Sequence, residues 1–402
     1  MSRRAVISWA LYDLANTAFS FGVISVYFPL WTKSAGASDS ALSFAFSASM
    51  VVVALASPVL GAVSDRRRRR LPMLAAATAA CVLATAALGT GTLGLGLVLF
   101  AVANVAFQLG LVFYDALLPS VAAPHEVGKI GGAGVGLGYV GSFLALGAGS
   151  TLLAARPGAY ASVFVAIAAI FAVFAVPLFV FVREPEREEA RERVSLARTA
   201  RDVLRLPGVG RFLAARFVYA DAANTLILFM AVYATLEAGL TESEVQIVLG
   251  AGIAAAVLGG FVAGRLVDRF GPKGVLQAVL VVWMATFALA AAIPLLGLPG
   301  DLFWGVAIGS GACLGGTWAS DRPLMLRLVP PDRVGEFYGV YGMIGRFAAV
   351  VGPLVWALVV DGLGWGRPVA VLTLLVAVII AAAILRGVEA PHHAQAEGPR
   401  SS

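Results

Sequence analysis

Charge is the scarcest commodity in this sequence. Only 13% of its 402 residues are Asp, Glu, Lys or Arg, and none occurs between Arg70 and Asp115. A chain that is 60% hydrophobic cannot cover a water-facing surface with so little charge, which excludes a soluble globular protein and implies a polytopic membrane protein. Cysteine is limited to Cys81 and Cys313, both inside apolar runs, so neither a disulfide framework nor metal-ligand spacing is expected. The three histidines, His125, His392 and His393, fall in a loop and in the tail. No Ser-His-Asp order and no Cys-His pair sits at membrane depth, and no G-x-x-x-x-G-K-[ST] loop is present. An enzyme, a bound cofactor and transport driven by this chain's own ATP hydrolysis are therefore not expected. Strand-like alternation is also missing, which argues against an outer-membrane barrel.

The net charge of +6 does not point to nucleic acid, because most of the 29 Lys and Arg fall in alternate loops and the tails. That is the positive-inside bias, and it places both termini in the cytoplasm of a bacterial-type inner membrane. The first apolar run is too long for a cleavable signal and carries Asp13, with no small-residue cleavage site after it. It reads as the first span.

What the chain does contain is a repeat. Tyr12-Asp13-Leu14-Ala15-Asn16-Thr17 puts an acid and an amide into an apolar run, and Asp221-Ala222-Ala223-Asn224-Thr225 returns the pattern at an offset of 208 (221 − 13). Gly61-Ala62-Val63-Ser64-Asp65-Arg66 is matched by Gly264-Arg265-Leu266-Val267-Asp268-Arg269, an offset of 203 (264 − 61). Asp115 followed by Pro124-His125-Glu126-Val127-Gly128 parallels Asp321 followed by Pro331-Asp332-Arg333-Val334-Gly335. Three anchors in one order are the mark of two related halves. An even number of spans in each half makes the repeat parallel, about an axis along the membrane normal.

Hydropathy predicts twelve helices, near 5–31, 41–64, 71–90, 93–119, 129–155 and 158–182, then 208–237, 243–267, 273–296, 300–328, 334–361 and 367–386. The expected organisation is an all-α membrane protein with an N-terminal six-helix bundle (1–182), a charged cytoplasmic linker (183–207), a C-terminal six-helix bundle (208–386) and a disordered polar tail (387–402).

The Gly-x-x-x-Asp-Arg turn after the second span, followed by Arg67 to Arg70, resembles the cytoplasmic signature of the major facilitator superfamily, and its second copy continues into Phe270-Gly271-Pro272-Lys273. Within that superfamily, Trp9-Ala10-Leu11-Tyr12-Asp13-Leu14-Ala15-Asn16 is similar to the opening of the vacuolar amino-acid effluxer-like family and its bacterial relatives. Tyr114-Asp115-Ala116-Leu117-Leu118-Pro119, Gly136-Leu137-Gly138-Tyr139-Val140-Gly141 and Gly345-Arg346 fit the same family. Two positions depart from it: Asp115 stands where an amide is expected, and Asp321-Arg322 replaces a more Ser-Arg-like pair. The resemblance implies two bundles related by a pseudo-two-fold axis, with spans 1, 4, 7 and 10 lining a central cavity, and it points toward amino-acid export.

An ionised Asp at the bilayer centre costs about 2.5 to 3.5 kcal/mol, so it faces a cavity or a partner. Asp13 and Asp221 are accordingly candidates for the substrate or proton site, with Asn16, Thr17, Asn224 and Thr225 beside them as hydrogen-bonding groups. Asp115, Asp321 and Arg322 are further candidates on spans 4 and 10. Neighbouring Asp321 and Arg322 cannot face one direction, so Arg322 should reach an acid on another helix. Arg216 and Arg346 are also intramembrane cations; salt bridges and contact with a substrate carboxylate are both open for Arg346 and Arg322. Gly61, Asp65 and Arg66, with Gly264, Asp268 and Arg269, are candidates for gating, as a clasp holding the outward-open state. The glycines from Gly128 to Gly141 suggest a fifth span that slides against the other half, and Gly352-Pro353 a kink in the eleventh. Trp9, Phe19, Phe28 and Trp31 read as lipid-facing or interfacial, with Tyr12 and Tyr27 as candidate pocket lining.

The expected function is a secondary transporter, a monomer in the lipid bilayer, moving a small polar solute by alternating access, with protons as a candidate coupling ion. The alternatives are multidrug efflux, which would need a wide apolar cavity, and a non-transporting sensor or scaffold.

Overall fold

The computed structural model describes residues 3–67, 70–115, 127–183, 208–329 and 334–388, together with 117, 121 and 206. Nearly all of the expected linker and tail lies outside them. The N-terminal half supplies α1 (Arg3–Ser34), α2 (Asp39–Arg67), α3 (Leu71–Ala86), α4 (Leu93–Asp115), α5 (Val127–Ala155) and α6 (Tyr160–Phe181). The C-terminal half supplies α7 (Val209–Leu236), α8 (Glu242–Phe270), α9 (Pro272–Leu295), α10 (Phe303–Leu328), α11 and α12 (Arg367–Arg386). Helix α11 is broken: Val334–Phe347 gives way to Val351–Ala357 and a π turn, Leu358–Gly362. Eleven of the twelve are long and apolar enough to cross a bilayer by themselves, and α3 is a 16-residue apolar helix. No strand occurs among the described residues.

Turn chemistry sets several of the boundaries. Gly271 has φ of 77°, a conformation that a side chain would resist, and Pro272 then opens α9 with its missing N–H where none is needed. Helix α8 opens on a capping box in which Thr241 and Glu244 each accept the other's backbone N–H. The break in α11 precedes Gly352-Pro353, with Pro353 in the first turn of the new segment, as the dipeptide led one to expect.

The two halves pack by the same scheme. In the first, α1 lies on α5 and α6, α3 on α4 and α6, and α2 on α4; in the second, α7 lies on α11 and α12, α9 on α10 and α12, and α8 on α10. Adding six to each helix number converts one list into the other, which is the pseudo-two-fold relation of two six-helix bundles. The bundles meet along α1–α7, α2–α11 and α5–α8.

One expectation fails for a clear reason. Trp9, Phe19, Phe28 and Trp31 are all buried in the N-terminal bundle rather than facing lipid, and Tyr12 and Tyr27 do not line the cavity but are buried with them, bonded to Thr78 and to the Leu146 carbonyl. Helix α1 is enclosed by α5 and α6 and touches α7 across the interface, so it has no lipid face to give them. Of the α5 glycines singled out above, the surroundings of Gly138 and Gly141 are described: a Cβ at Gly138 would strike Thr17, and one at Gly141 would strike the Leu14 carbonyl, so these two hold α5 against α1 of its own bundle, while α5 also meets α8 of the other half. The surroundings of the glycines from Gly128 to Gly136 lie outside the described residues.

Candidate functional site

The start of α1 and the end of α12 lie on one face of the molecule, hereafter the termini face; the opposite face carries the turns at residues 35–38, 237–241 and 363–366. At this far face the bundles are tied together. Asp39, at the start of α2 and 1% exposed, accepts from Lys33 at 2.7 Å, from both Nε and Nη2 of Arg367 at 2.9 Å, and from the Trp356 indole at 2.8 Å. Arg367 also donates to Glu237 at 3.2 Å, Tyr160 to Glu242 at 2.6 Å, and the Ser40 amide to Asp361 at 2.5 Å. Deeper down, Ser47 donates to the Val350 carbonyl at 3.0 Å, where the break in α11 has freed it. None of this was foreseen from the sequence. Asp39 follows a short turn and resembles an ordinary helix-initiating acid; two of its three partners, Trp356 and Arg367, are more than 300 residues away.

At the termini face the arrangement is different. Asp13 is half-buried and, among the described residues, its carboxylate accepts no hydrogen bond. Asp115 is exposed to solvent although it ends a transmembrane helix, and Arg322 is exposed on α10. Asp13 and Asp115 of one bundle lie within electrostatic range of Arg322 of the other, and Asp115 within range of Arg346. The bundles are hydrogen-bonded directly to one another at the far face, while at the termini face charged side chains of both bundles are exposed.

The acids that match by repeat have different roles. Asp221 does not face the opening: its Oδ1 accepts the Gly352 amide at 2.8 Å, capping the second segment of α11, and Thr225 bonds back to the Asp221 carbonyl at 2.7 Å. Asp321 is fully buried, 3.3 Å from Arg216, which is itself 4% exposed. Tyr219 donates to the same carboxylate at 3.3 Å, and Arg216 also bonds the Tyr341 carbonyl at 3.0 Å with its guanidinium 3.5 Å above that ring. In the first half, the position matching Arg216 at the 208 offset (216 − 208) is Ser8, whose hydroxyl donates to the Arg4 carbonyl. With no arginine there, Asp115 has no ion-pair partner in its own bundle among the described residues, and the cations opposite are the ones within electrostatic range. As expected of adjacent charges, Asp321 and Arg322 point in different directions.

Asn16 is buried at 4% exposure with its Nδ2 unpaired. Among the gating candidates, Asp268 and Arg269 are exposed at the end of α8; Arg269 packs over the Phe270 ring and Asp268 makes no hydrogen bond with a described residue. Gly264 has open space around it. Gly61 and the side chains of Asp65 and Arg66 lie outside the described residues.

Between the charged termini face and the sealed far face lies a cavity of about 330 Å³. Both bundles line it: Thr17, Ser20, Gln108, Tyr139 and Ser142 from the first, Asn224, Ser310 and Trp318 from the second, with Phe, Ile, Leu and Met between them. Asp13 lies one helical turn from Thr17, and Asp221 one turn from Asn224, so the cavity sits directly above both. The wall from α1 is a π segment, Ser20–Tyr27, in which Ser25 bonds back to the Ser20 carbonyl at 3.1 Å. Such wide turns recur at functional sites, and the sequence carries no pattern that marks one. The wall from α8 and α10 is thin: a Cβ at Gly311 would overlap the backbone of Gly252 and one at Gly315 that of Ala256, so these helices touch backbone to backbone.

The model of the family "Vacuole effluxer Atg22 like" matches residues 31–397. Over 404 aligned residues the chain is 28% identical to the uncharacterized MFS-type transporter YxiO of Bacillus subtilis (strain 168), covering 94% of this chain and 93% of that one. It is 30% identical over 191 residues to autophagy-related protein 22 of Botryotinia fuckeliana, a match spanning 43% of this chain and 28% of the fungal protein. Among solved structures, a bacterial homolog of the human lysosomal transporter Spinster, in an inward-facing and unoccupied conformation, superposes with a TM-score of 0.70 over 96% of both chains at 15% identity.

Proposed function

Because the chain belongs to the vacuole effluxer Atg22-like family of the major facilitator superfamily, and is thus a multi-pass membrane transporter, we propose that it moves a small polar organic solute by alternating access. The observation that supports this reading is the interbundle cavity, closed on the far side by hydrogen bonds between the bundles and flanked on the other by exposed charged side chains of both. In this reading the termini are cytoplasmic, in keeping with the distribution of Lys and Arg, and the conformation is inward-facing. The network of Asp39, Arg367, Glu237 and Trp356 is then the outer gate.

Asp13 is the proposed proton-coupling residue. It is half-buried, unpaired among the described residues, one turn below the cavity, and faces the charges of the other bundle. Asp115 and Arg346 are proposed to approach and pair as the inner side closes, with Asp65, Arg66, Asp268 and Arg269 reinforcing closure at the surface. Protonation or solute binding shifts the equilibrium between the two states to the extent that it favours one of them.

The test is counterflow in proteoliposomes with amino acids, a sugar, a nucleoside and a cationic dye, comparing wild type with Asp13→Asn. Counterflow needs no driving gradient. Solute exchange by wild type supports the transporter reading, and exchange that becomes insensitive to pH in Asp13→Asn supports the coupling role. A correctly folded protein that exchanges none of these solutes would instead favour a sensor that has kept the fold.

A further inference from the structure

Among the described residues, the cavity is lined by no charged side chain, although charged residues stand one turn below it on two of the helices that line it. The polar groups described along it are all neutral. Three of its hydroxyls are already engaged with their own helix: Thr17 donates to Asp13, Ser20 to Thr17 and Ser25 to Ser20, each at a backbone carbonyl. The others are not. The amides of Gln108 and Asn224 and the hydroxyl of Tyr139 make no hydrogen bond with any described residue. Ser310, 1% exposed, has an Oγ that is enclosed and without a partner. Leaving a buried hydroxyl unpaired costs about 1–3 kcal/mol, so an orphan at the wall of a cavity implies something that pairs with it when the cavity is filled.

These unpaired groups come from both bundles, Gln108 and Tyr139 on one side and Asn224 and Ser310 on the other. Around them the lining is Phe, Ile, Leu and Met. A carboxylate or ammonium entering this space would give up its hydration and find no opposite charge, a penalty that neutral groups escape. Asp221 is not among the lining residues; its carboxylate is turned to the Gly352 amide at the break in α11. The volume is at the low end of ligand sites, which run from about 300 to 1,000 Å³.

We propose that the cavity binds a small solute with no formally charged group, carrying hydroxyl or amide functions on a partly apolar framework, and that Ser310 is a direct contact that selects for it. The proposal rests on the transporter reading and narrows its solute away from amino-acid zwitterions. The charged groups beneath the cavity then belong to gating and coupling, not to recognition.

The test probes the cavity's chemistry without needing the natural solute. Ser310→Cys is made in a Cys81→Ala, Cys313→Ala background and the full chain is purified in detergent, with Ser38→Cys, exposed at the far face, as the reference site. Modification rates are measured with uncharged methyl methanethiosulfonate and with its trimethylammonium-ethyl and sulfonato-ethyl analogues. The preference for the uncharged reagent at position 310, relative to position 38, is expected to be at least about tenfold over either charged one. Equal preference at the two positions, faster reaction with a charged reagent at 310, or no reaction at 310 with any reagent would each overturn the proposal. If Ser310→Cys does not fold, Asn224→Cys carries the same comparison. In counterflow, leucine exchanged as fast as uridine or glucose would also sink the uncharged class while leaving transport itself standing.

Discussion

Among the intramembrane charges, the pairing of each residue decides what its removal does. Arg216 and Asp321 are both buried and bonded to each other, so Arg216→Ala leaves an uncompensated acid and should cost about 3–5 kcal/mol, seen as a large drop in the melting temperature of the purified protein. The double variant Arg216→Ala/Asp321→Ala should recover part of that loss, because no charge then remains buried alone. Arg346 makes no ion pair with a described residue, so Arg346→Ala should leave the melting temperature nearly unchanged while slowing transport. Asp39 poses a different case. It holds Lys33, Arg367 and Trp356 together at once, and Asp39→Asn removes the charge that organises them. Ser43, one turn deeper on α2 and fully buried, reports the consequence. Labelling of Ser43→Cys by a membrane-impermeant thiol reagent from the far side should rise several-fold when Asp39→Asn is added; an unchanged rate would mean that Asp39 does not hold the gate.

For the helices, close approach is the controlling feature. Gly352 lets α11 lie against α7 at the point where Asp221 caps it, and a Cβ there would meet the Asp221 carboxylate and Thr225. Gly352→Val should therefore abolish counterflow and lower the melting temperature together. Gly311→Ala acts elsewhere, driving α8 and α10 apart along one wall of the cavity, and should weaken solute affinity through altered shape. Legibility also differs by element. Hydropathy placed all twelve helices, because a bilayer demands long apolar runs whatever the partners are. The kink in α11 could be read from Gly352-Pro353, since proline acts on its own backbone. By contrast, the π segment of α1 and the burial of Trp9 and Trp31 depend on α5 and α6 closing around α1, and amphipathic pattern says little where both lipid and core are apolar.

For the molecule as a whole, the far-face network predicts that fastening it permanently stops the cycle. Ser40 and Asp361 are bonded directly across the interface, so the pair Ser40→Cys and Asp361→Cys, in a background lacking Cys81 and Cys313, should cross-link on oxidation. Cross-linked protein should lose counterflow, and reduction should restore it; full activity in the cross-linked state would rule out opening at this face as part of transport.

The sequence alone determined that the chain spans a membrane, that its halves repeat and that the recurring acids are exceptional, because each of these follows from the cost of placing polar groups in an apolar medium. It did not separate the acids from one another. Tertiary structure assigned Asp221 to a helix cap, Asp321 to Arg216 and Asp39 to Arg367 and Trp356 across the far face, and left Asp115 exposed and Asp13 half-buried without a hydrogen bond among the described residues. The physical reason is that a charge takes its role from what lies a few ångströms away, and those neighbours here are separated along the chain by as many as 328 residues.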